Sequence, residues 1–156
     1  MNWDAIGSVG EIVGALAVVV SLVYLAAQIR TQNIESRAAA AHDIYEGFRD
    51  SIGTFANRDN AEVLARANED VNSLSDTDRI VLFACVQRPL RLWEEAYHQH
   101  RRGRLDDEIW QAMVDQYAAF LAAASIAHVW EIRENHFTPG FRKFVATVKR
   151  TELAFK

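Results

Sequence analysis

A chain of 156 residues has room for one domain with a real core, and a net charge of −4 with 24% charged residues argues against a nucleic-acid partner. The single cysteine, Cys85, excludes an internal disulfide and suits a reducing compartment. Charge is spread unevenly: all 17 Lys and Arg residues lie at Arg30 or later, and only Asp4 and Glu11 are charged before that point.

The first element is apolar. Ala5 to Ala27 reads AIGSVGEIVGALAVVVSLVYLAA and, at about 1.5 Å per residue, spans roughly 35 Å, enough for a hydrocarbon core of about 30 Å. Its uncharged part, Ile12 to Ala27, is shorter than the usual ~20 residues, so Glu11 must lie near one interface or be held against protein. Trp3 upstream and Tyr24 downstream suit the two headgroup layers. A cleaved signal peptide would need a basic leading segment and a small-residue cleavage site, and neither is present. A buried helix of a soluble protein is the alternative left standing. Arg30 and Arg37 follow the span and no Lys or Arg precedes it, so the positive-inside rule puts the C-terminal side in the cytoplasm and the N-terminus outside.

Within the span Gly7, Gly10, Gly14, Ala17 and Ser21 recur at intervals of three and four, and the register continues through Tyr24 to Gln28. A stripe of small residues lets helix backbones approach closely in lipid, and Gly10 with Gly14 makes a GxxxG pair. Val9, Ile12, Leu16, Val19, Val20 and Val23 fall largely on the other side, toward lipid. The plainer explanation is that Gly and Ala are common in membrane helices. Glu11 lies beside the stripe, so an oligomer would draw it toward the helix contacts, where a ring of carboxyls could line a pore. Its plainer place is the outer interface.

Beyond Arg30 the helical period continues through Ile34, Ala38, Ala41, Ile44, Phe48, Ile52 and Phe55, which predicts a stalk. Asn57 to Asn60 is a polar break, followed by a short helix from Ala61 to about Asn68. Ser75 and Asp78 form a capping box that opens a helix to about Arg101, with a stripe of Leu82, Val86, Leu90, Trp93 and Tyr97 and a kink at Pro89. Gly103 closes it, and Asp106, Asp107 and Glu108 open the next, which buries Trp110, Met113, Val114, Tyr117, Phe120 and Leu121. An alanine-rich continuation carries Trp130 and ends near His136. Thr138 and Pro139 start a last helix whose inner face is Phe141, Phe144, Val145 and Val148. The class is all-α: a transmembrane helix over 1–30, a helical stalk over 31–56 and a cytoplasmic helical domain over 57–156, a small bundle.

Motifs for chemistry are sparse. Glu95 and His98 make a Glu-x-x-His step on one helix face, as in di-iron bundles, but a second copy is missing. Glu94, His100, and His42 with Glu46 could join it, yet a solvated polar face accounts for them all, and no metal or cofactor is assigned. His128 and His136 lack ligand spacing. Cys85 sits in an apolar run as an inert core thiol, and neither a serine elbow nor a phosphate loop occurs. Arg101, Arg102 and Arg104, with Arg88 and Arg91 upstream, could meet acidic lipid heads or an acidic partner, the simpler reading being a solvated turn. No catalytic residue emerges, and the chain reads as a non-enzyme.

Three blocks, NWDAIGSVGEIVGALAVVVSLVYLAAQIR, RLWEEAYHQHRRGRLDDEIW and VWEIRENHFTPGFRKFV, occur in an order that resembles a family of small uncharacterised bacterial single-pass membrane proteins with an N-terminal transmembrane helix and a C-terminal helical domain. The resemblance covers nearly the whole chain. It implies a protein of the bacterial inner membrane and carries no site onto these positions. The reading that follows is a membrane-anchored scaffold or accessory subunit, in contact with lipid, that associates through its small-residue seam as a homo-oligomer or within a larger membrane complex. A homo-oligomeric pore with Glu11 near the helix contacts is the alternative, and a metalloenzyme using Glu95 and His98 stands third.

Overall fold

The computed structural model describes residues 3–151, and for residues 3–6 the backbone alone. The side chain of Trp3, expected at a headgroup layer, therefore lies outside the described residues. The fold is all-α: a long N-terminal helix that is apolar in its first half, then several shorter helices. Helix α1 covers Trp3–Ala56, α2 Arg58–Glu69, α3 Asp76–Arg101, α4 Asp107–Phe120, α5 Ala124–Arg133 and α6 Pro139–Val145, with 3-10 turns at Val71–Ser73 and Glu134–His136. The chain divides into two units, residues up to Ala38 and residues from Ala39 onward. That boundary falls within α1 and within the segment expected as stalk.

In the second unit α3 is the hub, packed by α2, α4 and α5. Its start is fixed locally: the Ser75 Oγ accepts the Asp78 N–H at 3.1 Å and donates to Asp78 Oδ2 at 2.8 Å, so one serine satisfies an orphan donor of the first turn and holds the acid that favours it. Arg66 of α2 also donates to that carboxylate, at 3.0 Å. The Arg66 and then the Ser75 hydrogen bonds hold the Asp78 carboxyl below its ordinary value. The helix runs through Pro89, whose carbonyl accepts the Tyr117 hydroxyl at 2.7 Å. It ends where Gly103 takes φ +67, with Gly103 N–H bonded to His100 O and Arg104 N–H to Gln99 O, each at 2.9 Å. Those two bonds close a left-handed cap in which glycine avoids the steric penalty of a side chain.

The core is aromatic. Trp93 is fully buried, stacked on Tyr117 with centroids 4.5 Å apart and meeting Phe141 edge-on at 5.2 Å. Burial pushes the Tyr117 phenol far above its ordinary value, so it stays a neutral donor to Pro89. Around this centre lie Leu82, Val86 and Leu90 of α3, Trp110 and Met113 of α4, and Val129 and Trp130 of α5. The α4 and α5 segments, bent by 103° at their break, are together apolar enough to resemble a broken membrane span. Apart from the exposed Ile132, their large apolar residues are instead used in this core or packed against it.

The last part of α1 belongs to the same unit, and its periodic residues Ala41, Ile44, Phe48 and Phe55 are buried or half-buried there. Ile44 is buried as expected, but Ile34 is 62% and Ile52 52% exposed. The buried line runs through Ala40, Ile44 and Ser51, with Gly47 half-buried between them. Small side chains are what close packing needs: a Cβ on Gly47 would lie 2.6 Å from a Leu92 methyl. Arg88 then pairs with Asp50 at 2.7 Å, and Phe55 meets the Phe120 ring at 5.3 Å.

Candidate membrane helix

From Glu11 to Arg30 lies an interval of 18 uncharged residues, about 27 Å of helix. Twelve large apolar side chains from Val9 to Ile29 are 50–66% exposed. They include Val18, Val19 and Val20 and then Leu22, Val23, Tyr24 and Leu25, and successive residues step around a helix by about 100°, so no side of it is polar. Full burial of each such side chain is worth about 1.5–3 kcal/mol, and none of the described residues covers them. Among the described residues α1 is the one unbroken helix long and apolar enough to cross a membrane.

Three polar side chains in or just beyond this stretch are bonded within the helix itself. Ser21 Oγ donates to Ala17 O at 2.8 Å, Thr31 Oγ1 to Ala27 O at 3.2 Å, and Gln28 Nε2 to the Tyr24 hydroxyl at 3.0 Å. Back-bonding of this kind suits a segment with no water to turn to. Gly7, Gly10, Gly14, Ala17 and Ser21 are all exposed, and a Cβ added at any of the three glycines would meet nothing within 4 Å. The stripe is thus an open face of this chain. Glu11 is exposed beside it.

The remaining candidates lie in the second unit. Glu95 is exposed and His98 half-buried, its Nε2 3.2 Å from Thr138 Oγ1. Among the described residues no group of three or more His, Cys, Asp or Glu is placed to hold a metal ion. His100 Nε2 lies 2.9 Å from Asp107 Oδ1 with its ring stacked on Trp110, which bridges the end of α3 to the start of α4. The turn between them carries Arg101, Arg102 and Arg104, all exposed. Arg101 donates to the Tyr97 hydroxyl at 3.2 Å, and the backbone N–H of Arg102 caps α3. Cys85 is buried, and burial pushes its thiol up, away from the reactive thiolate.

One acid that the sequence analysis assigned to a solvated polar face is instead buried and has a defined task. Glu94 is 8% exposed, and its two oxygens accept the Thr138 N–H and Arg91 Nη1, each at 2.7 Å. Burial alone would raise its carboxyl; the Thr138 N–H, then Arg91, outweigh that and leave it below its ordinary value. Arg91 also donates to His136 O at 3.0 Å and lies over the Phe137 ring. The group pins the start of α6 to α3. Its signal in the sequence was the inward register of Glu94, next to Trp93.

Compared with known proteins, the sequence matches no family model, and neither a curated protein nor a solved structure matches the chain.

Proposed function

We propose that this chain is a non-enzymatic, membrane-anchored helical protein, a scaffold or accessory subunit whose α1 crosses a bacterial inner membrane once, with the N-terminus outside and the bundle in the cytoplasm. The observation that carries the reading is the apolar surface of Val9 to Ile29, uncovered on all sides and ended by Arg30. The order of its three sequence blocks, like that of small bacterial single-pass membrane proteins, supports the compartment. The open stripe of Gly7, Gly10, Gly14, Ala17 and Ser21 supports association with a second helix, in a homo-oligomer or with another membrane protein.

One experiment reads both location and association. In a Cys85→Ser background, Asn2→Cys is exposed on intact cells to a thiol cross-linker that does not cross the bilayer. The expected outcome is a cross-linked dimer that Gly14→Leu abolishes while single-site labelling persists. Failure of the reagent to reach Asn2→Cys would overturn the orientation. A dimer that survives Gly14→Leu would overturn the seam.

A further inference from the structure

A cavity of about 190 Å³ lies between the Val71–Ser73 turn, the start of α3 and α5. Its lining divides by chemistry: Leu82, Phe83, Val129 and Ile132 are apolar, while Arg79 and His128 carry a guanidinium and an imidazole. Arg79 is held in place before any ligand arrives, since its Nε donates to Leu74 O at 3.1 Å and its Nη2 to Asn72 O at 3.2 Å. Carbonyl acceptors fix the fork without cancelling its charge, and Nη1 and one N–H of Nη2 have no partner among the described residues. A second guanidinium, that of Arg133, lies over the Phe83 ring with its carbon 4.0 Å from the centroid.

Among the described residues the arginines that pair with carboxylates are Arg58, Arg66, Arg88 and Arg91, so neither Arg79 nor Arg133 is neutralised. Arg79 is in the lining of the cavity, and Arg133 stacks on Phe83, one of its apolar walls. A convex salt-exposed arginine needs no ligand, but one immobilised at the edge of an apolar hollow has had its ordering cost met in advance. The volume is below the roughly 300 Å³ at which drug-sized sites begin, so the occupant is small.

We propose that this cavity binds a small organic carboxylate with an apolar body, its carboxylate on Arg79 and its body against Phe83, Val129 and Ile132. Straight-chain and arylalkyl acids share that chemistry. The test uses the full chain in lipid nanodiscs, titrated by calorimetry with octanoate, 3-phenylpropanoate, octanamide and acetate against empty nanodiscs. Saturable binding of at least one of the two longer acids is expected, about tenfold tighter than octanamide or acetate, as one charge-assisted contact would give. Which acid binds better reports the shape of the body. Arg79→Gln should weaken the acid about tenfold and leave octanamide unchanged. Because Arg79 also holds the preceding turn, Ile132→Glu serves as a second variant at a position 56% exposed, and should abolish acid binding with the helical spectrum unchanged. Absence of saturable acid binding, equal binding of octanamide or acetate, or indifference to Ile132→Glu would each overturn the site.

Discussion

Helix α3 and the first half of α1 are built from similar apolar residues, yet they end in opposite states. In α3, Leu82, Val86, Leu90 and Trp93 are 0–3% exposed, whereas Leu16, Val20 and Val23 of α1 are 60–66% exposed. Spacing explains the difference. The α3 apolar residues recur on one stripe with Arg79, Arg88, Arg91 and Glu95 between them, so the helix has an inside and an outside that one domain can satisfy. Between Glu11 and Arg30, α1 has no charged residue with which to make an outside. A helix apolar all round needs either complete burial in protein or an apolar solvent, and the described residues supply no burial.

The largest effect that would break this comparison comes from giving α1 an outside. Val19→Arg with Val20→Arg places two charges at the middle of the apolar interval, at about 2.5–3.5 kcal/mol each on an insertion scale. The doubly substituted chain should leave the membrane pellet for the soluble fraction. A chain that stays in the pellet after alkaline extraction would show that something other than this stretch holds it there.

Next in size is the reverse experiment on α3. Trp93→Ala removes the stack on Tyr117 and the edge contacts to Phe141 and Phe144, which should destabilise the bundle by about 3–5 kcal/mol. Membrane partition should be untouched, since no residue of the apolar interval contributes to that aromatic group. Denaturant unfolding followed by near-ultraviolet dichroism reads the first effect and fractionation the second. A Trp93→Ala chain of unchanged stability would mean that the aromatic centre is not what holds the second unit together.

Sequence patterning made some of these features plain and hid others for identifiable reasons. Ser75 with Asp78, Gly103 and Thr138 with Pro139 mark the ends of α3 and the start of α6 because caps are local and depend on a few adjacent residues. The inward side of Ala39 to Ala56 was legible only in part. Ala41, Phe48 and Phe55 keep helical spacing with Ile44 and turn inward, but Ile52 is exposed, and the rest of the inward line is Ala40, Gly47 and Ser51, where little hydrophobic signal exists. Small residues at that position record how near Leu92 comes, a fact about another helix. The cavity around Arg79 was hidden for the same reason, since its wall joins residues 71–83 to residues 128–132, far along the chain.

The smallest effect separates structural charge within the bundle from the uncharged interval of α1. Glu94 is an acid on the buried side of α3, tolerated because Thr138 N–H and Arg91 take both its oxygens. Its carboxyl is depressed in the folded chain, so the stability it contributes is complete above the ordinary value of 4.5 and is lost as pH falls through the lower folded value. Glu94→Gln keeps an acceptor for Thr138 but loses the charge-assisted bond from Arg91, which should cost about 1–2 kcal/mol at pH 7. Thermal unfolding of both chains between pH 7 and pH 3 should show that deficit shrinking as the wild-type carboxyl takes up its proton. A gap that stays constant with pH would mean that the shape of the Glu94 side chain, and not its charge, ties α6 to α3.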